Sequence, residues 1–224
     1  KETVNLATGD YIYILGDDDL LLDSSIESII ASIKKYPNVP LIYLNYSYTN
    51  EETPSNINKL GKYFDKATPA TKSEANIYGK VKDICAQNEN FFTAIYTLVL
   101  RRDHALKLYS QGMEGRPFST MMSCIPTTLY VLKNMMNENS LWIGSPQVVI
   151  NMNVSWLKYA TLWHLERFPE VWEVAEMNGA PKDKIQRRKS NYLPSIVASF
   201  REIYQNNNQI DNVKYFSPDT FFMR

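Results

Sequence analysis

The sequence is poor in the residues that announce several common protein classes. Its 224 residues hold two cysteines, Cys85 and Cys124, and two histidines. The cysteines are far apart, with no second Cys or His at metal-ligand spacing. This excludes a zinc module or disulfide scaffold and makes a reducing cytoplasm the expected compartment. No apolar run approaches the roughly 18 residues of a membrane span, and Lys1-Glu2-Thr3 does not open like a signal peptide, so a soluble or at most peripheral protein is expected. Net charge is also lacking: Lys plus Arg and Asp plus Glu are 24 each. No whole-molecule field recruits nucleic acid or an anionic membrane, and a polyanionic ligand must be held by a local site. Neither an internal repeat nor a low-complexity tract is present. With 44% hydrophobic and 21% charged residues, a disordered, collagenous or solenoid chain is excluded.

What is present is ordered and aromatic. Fifteen Tyr against eight Gly supply amphipathic side chains both for packing and for a polar ligand. Tyr11 to Leu15 is a continuous apolar, β-favouring run, the pattern of a strand covered on both faces. It stops at Gly16-Asp17-Asp18-Asp19. Ile26, Ile29, Ile30 and Ile33 then follow helical spacing, with Ser24 and Glu27 as a capping box, and Pro37 ends that helix. A second buried strand, Leu41 to Leu44, follows. Strand, acidic turn, helix and strand make one βαβ unit, with its polar cluster at the carboxyl end of the first strand, where open α/β sheets bind ligands. Residues 49–73 read as a lid or binding loop. Further on, Glu74 to Asn88 reads as a helix, Phe91 to Leu100 as a strand, Arg101 to Tyr109 as a short helix, and Phe118 to Met136 as helix broken at Pro126. Leu141 to Met152 carries one or two strands, and the chain is helical from Ser155, with breaks at Pro169, Pro181 and Pro194.

Three adjacent carboxylates at a buried strand end raise one another's pKa and call for a cation. Hard Mg²⁺ or Mn²⁺ meets that need with one or two protein carboxylates, leaving its other positions to phosphate and water. This is the chemistry of a diphosphate leaving group, whose developing charge the ion neutralises. The alternative is a purely structural turn that caps the next helix or lies in solvent.

The segment Ala7-Thr8-Gly9-Asp10-Tyr11-Ile12-Tyr13-Ile14-Leu15-Gly16-Asp17-Asp18-Asp19 resembles the stretch around the metal-binding motif of family 2 glycosyltransferases of the GT-A fold, especially bacterial O-antigen and capsule enzymes similar to abequosyltransferases. Phe92-Thr93-Ala94 to Leu100-Arg101-Arg102-Asp103 resembles the family's strand ending in a basic pair, and Asn151-Met152-Asn153-Val154-Ser155-Trp156 resembles its late Asn-x-Ser-Trp element. The resemblance implies an α/β fold, a partial GT-A-like mixed sheet with flanking helices and a helical carboxyl-terminal extension. Residues 1–157 would be the carboxyl-terminal part of the catalytic domain and 158–224 the extension. It implies a nucleotide-sugar donor, a saccharide or lipid-linked acceptor and Mn²⁺ or Mg²⁺, in bacterial surface-polysaccharide synthesis, with inversion. Asp18 and Asp19 match the last two acids of the motif and would hold the metal, with Asp17, Arg101 and Arg102 on the donor. Gly16 stands where the family's first acid usually is, which leaves Asp17 and Asp19 as an alternative metal-facing pair. Only sixteen residues precede Asp17, so the resemblance implies that the chain is the second half of such a domain.

An inverting transfer needs a carboxylate near the acceptor hydroxyl. Glu114, in the Gly112 to Pro117 turn, is the candidate and Glu89 the reserve; a solvated loop Glu is the competing reading. His164 beside Trp163 reads as a metal-shell residue or a satisfied, half-buried His. Tyr43, Tyr46 and Tyr48 could stack on sugar rings or pack a sheet. Lys182 to Lys189 carries five basic residues in eight, a peripheral membrane contact or a solvated face. Two rival functions are a sugar nucleotidyltransferase, which wants a Gly-rich basic phosphate loop absent here, and a non-catalytic binding or assembly module.

Overall fold

Leu41–Thr49 carries the densest β signal in the chain, and it forms the centre of a seven-stranded mixed sheet. The computed structural model describes residues 2–54, 56–72, 74–87, 90–112, 115–153 and 155–205. These gather into two compact units, Lys1–Gln111 with Asn137–Val154, and Gly112–Met136 with Ser155–Arg224.

The first unit holds α1 (Glu2–Leu6), β1 (Tyr11–Tyr13), β2 (Leu20–Leu21), α2 (Ser25–Lys35), β3 (Leu41–Thr49), α3 (Leu60–Asp65), β4 (Thr68–Pro69), β5 (Ile77–Lys80), α4 (Val81–Ile84), β6 (Leu98–Arg101), α5 (Arg102–Ser110) and β7 (Asn139–Asn151). The main strand order is β1-β6-β3-β7-β2, with β4 on β3 and β5 on β7. Among the described residues only β3 and β7 pair in parallel; the other pairings are antiparallel. Because side chains alternate along a strand, Ile42 and Leu44 meet Ile29, Val39, Val99, Leu141 and Ile143 in one core cluster. Tyr43, between them, packs instead on Phe92 and Trp142. Burying each such aliphatic side chain contributes about 1.5–3 kcal/mol.

Pro146 lies in the middle of β7, where a missing N–H would break a regular ladder. The register shifts there, opposite Asn45. Fully buried Asn45 serves the irregularity: its amide donates to Gly144 O at 2.7 Å and Thr71 O at 3.1 Å, and its Oδ1 accepts from Tyr46 N. Gly144 is required by close approach, since a Cβ would stand 2.3 Å from Ala75 O.

The second unit is helical: α6 (Met121–Cys124), α7 (Pro126–Asn134), a 3-10 turn Ser155–Tyr159, α8 (Ala160–Leu162), a π-helical segment Trp163–Arg167, α9 (Phe168–Met177) and α10 (Lys182–Gln205). Phe168, Trp172 and Tyr192 pack edge-on or tilted at its centre.

The mixed α/β sheet with flanking helices agrees with the sequence expectation, but several elements differ. β1 is three residues long at the sheet edge, and Ile14 and Leu15 are exposed rather than covered. β6 lies between β1 and β3, so the βαβ unit has no direct β1–β3 pairing. Ser24 adopts a left-handed conformation and makes no side-chain cap; Ser25 Oγ donates to Gln147 O instead. The expected helix over 74–88 is β5 followed by the short α4. Phe91 and Phe92 take positive φ and delay β6 to Leu98. Pro194 sits inside α10 without ending it. Tyr43 and Tyr46 are core residues, so of the three tyrosines only Tyr48 is exposed.

Candidate functional site

β1, β3 and β7 run in one direction, β6 opposing both β1 and β3, so the carboxyl ends of the three strands share one edge of the sheet. The acidic turn leaves β1 at that edge, and Asn151 closes β7 there. Asp17 and Asp18 are exposed, whereas Asp19 is 8% exposed. Backbone N–H groups of Asn151 and Gly16 donate to the Asp19 carboxylate, tying the turn to the end of β7. Burial, then the neighbouring charge of Asp18 and more weakly of Asp17, outweighs those bonds and raises the Asp19 pKa to about 6.

Gly16 explains how a carboxylate fits there. A Cβ at position 16 would stand 2.6 Å from Asp19 Oδ2 and 3.2 Å from its Cγ. Having no side chain, Gly16 makes room for the Asp19 carboxylate against the backbone.

Asn151 organises the surroundings. Its amide donates to Thr53 Oγ1 at 2.9 Å and Glu51 O at 3.1 Å, and its Oδ1 accepts from Asn153 N at 2.8 Å. Thr53 Oγ1 in turn reaches Asp18 O at 3.4 Å. Tyr13, Tyr63 and Tyr96 line the same region. Burial dominates the upward pKa shift of each phenol, and the charge of Asp19 adds to it. The Tyr13 hydroxyl is buried without a hydrogen bond, and that of Tyr63 lies beside Thr53 without a well-formed one.

The structure does not bring Arg101 and Arg102 to this cluster. Arg101 pairs opposite Tyr11, at the amino end of β1. Its guanidinium grips Asp103 with two bonds of 2.7 and 2.9 Å and donates to Asn38 O. The fork holds the Asp103 carboxyl well below the usual range. Arg102 Nε donates to Ala7 O at 2.7 Å. Both side chains brace the entry to β1, which corrects their expected place on the donor. Glu114 and Glu89 lie outside the described residues. His164 belongs to the second unit, hydrogen-bonded to Tyr192. Burial pushes the thiols of Cys85 and Cys124 up to about 12, so both are inert at neutral pH.

Sequence reading missed Tyr13, Thr53, Tyr63 and Tyr96. The adjacent aromatic pair Tyr63-Phe64, in a stretch that is mainly polar, is the sequence signal that this loop packs.

Among the described residues, no group of three or more His, Cys, Asp or Glu is arranged to hold a metal. Asp17 and Asp18 are exposed carboxylates, the hard oxygen donors of which Mg²⁺ or Mn²⁺ needs only one or two when phosphate and water fill the rest of its shell. No protein-family model matches the sequence, and no curated protein does. Among solved structures, the chain is similar to that of S. aureus TarS 1-349, a glycosyltransferase, at 10% identity and a TM-score of 0.45. The match covers 92% of this chain and 51% of that one, so the chain spans about half its length.

Proposed function

We propose that this chain carries the acidic, diphosphate-facing half of a metal-dependent glycosyltransferase site. The enzyme moves a sugar from a nucleotide-diphosphate donor to a saccharide or lipid-linked acceptor in bacterial surface-polysaccharide synthesis. The observation that supports it is the acid-only turn at the shared carboxyl edge of β1, β3 and β7, fastened to Asn151 by way of Asp19. Asp17 and Asp18 would hold Mn²⁺ or Mg²⁺, which when bound neutralises charge on the departing diphosphate. Asp19 positions the turn, in place of the direct metal contact expected from its motif position. Asn151 orients the adjoining loop through Thr53 and Glu51. Glu114 is proposed as the base that takes the acceptor proton in an inverting transfer.

A second reading is a binding or assembly module with a structural turn; the inward side chain of Asp19 favours it. Thermal melts with Mn²⁺ and a nucleoside diphosphate separate the two. The transferase reading expects a metal-dependent stabilisation of about 2.7 kcal/mol at a hundredfold excess over Kd, lost in Asp17→Asn/Asp18→Asn. No metal-dependent shift in the unmutated chain would sink it.

A further inference from the structure

The outer face of α10 carries three exposed apolar side chains. Its inner face, with Ile185, Tyr192 and Ser199 buried, packs on α8, the π-helical segment and α9. On the opposite side Leu193, Val197 and Tyr204 are 57%, 51% and 87% exposed. At 3.6 residues per turn these positions share one stripe, which Lys182, Arg187 and Arg201, all exposed, extend and flank. Asp183 is the acid beside that stripe; Lys184 and Glu202 lie roughly opposite its three apolar residues, and Glu202 accepts a hydrogen bond from Thr161 of α8.

We propose that this stripe rests on an anionic lipid surface, Leu193, Val197 and Tyr204 entering the headgroup boundary while Lys182, Arg187 and Arg201 meet lipid phosphates. Two features select this occupant. Apolar side chains bordered by cations, on a chain with no net charge overall, are the composition of an interfacial helix. A second copy of the chain would set the same positive stripe against itself, and three apolar side chains fall far short of the roughly 800 Å² per partner of a stable interface. No helix of the described residues is long and apolar enough to cross a membrane, so contact through this stripe is peripheral. The inference is independent of the proposed transfer reaction.

Flotation with vesicles of phosphatidylcholine alone or mixed with phosphatidylglycerol tests it. The expected result is binding to the mixed vesicles at low salt, weakened by salt and at least about tenfold weaker on the neutral ones. Leu193→Glu/Val197→Glu should abolish flotation, and Lys182→Glu/Arg187→Glu should reduce it by about tenfold or more. Both pairs are exposed, and unchanged melting would confirm that the variants fold. Equal binding to neutral vesicles, no binding to anionic ones, or variants that float like the original would each overturn the proposal. So would a dimer in solution that Leu193→Glu dissociates.

Discussion

Each unit buries a carboxylate, and the two do so in opposite ways. In the helical unit Arg167, itself 7% exposed, lies 3.3 Å from Glu166 and 2.7 Å from Glu170, so acid and base are desolvated together. In the sheet unit the charges acting on buried Asp19 are those of Asp18 and Asp17, both of its own sign, with only backbone N–H groups in compensation. The first arrangement is closed and serves packing. The second leaves an electrostatic demand that a bound cation would meet, and it lies where strand ends converge. A buried acid points to a ligand when its neighbours aggravate its charge, not when they cancel it.

Arg167→Met should destabilise the chain by about 3–5 kcal/mol, because it strands buried carboxylates without their cation; denaturant melts measure this. A loss below 1 kcal/mol would mean that the pair is not closed.

Asp19 should behave in the reverse sense. Its pKa is raised from 3.8 to about 6 on folding, so the unfolded chain gives up this proton first as pH rises. Its contribution to stability is full below about pH 4 and is lost as pH rises through about 6, a fall of roughly 3 kcal/mol. In metal-free buffer Asp19→Asn should flatten that slope and melt no lower than the original at pH 7.5. A parallel pH profile for the two proteins would contradict the assignment. The smallest effect sharpens the geometry: Gly16→Ala should cost about 1–3 kcal/mol through crowding of the Asp19 carboxylate. The penalty should shrink when Asp19 is also Ala, which a double-mutant cycle reads directly.

Much of this was legible in one dimension. Apolar runs marked β3 and β7, the proline at 126 marked the entry to α7, and the acids after Leu15 marked the sheet edge that gathers the site. These are local properties: side-chain period, proline's missing donor and like charges in a row act within a few residues of their cause. The errors fell where local preference was overridden. Residues 77–80 became a strand because β7 offered an edge to pair with. Arg101 and Arg102 looked like phosphate ligands until Asp103, Asn38 and Ala7 were seen to use them.

The chain's own order of residues thus sufficed for the class of fold and for the position of the acidic turn. Which of three adjacent aspartates faces inward could not be read from it. That depends on Asn151, far along the chain, presenting its N–H to Asp19, and on the space left by the side chain that Gly16 lacks. Burial and long-range hydrogen bonds are properties of the folded molecule, and they divide chemically identical neighbours into one buried anchor and two exposed carboxylates.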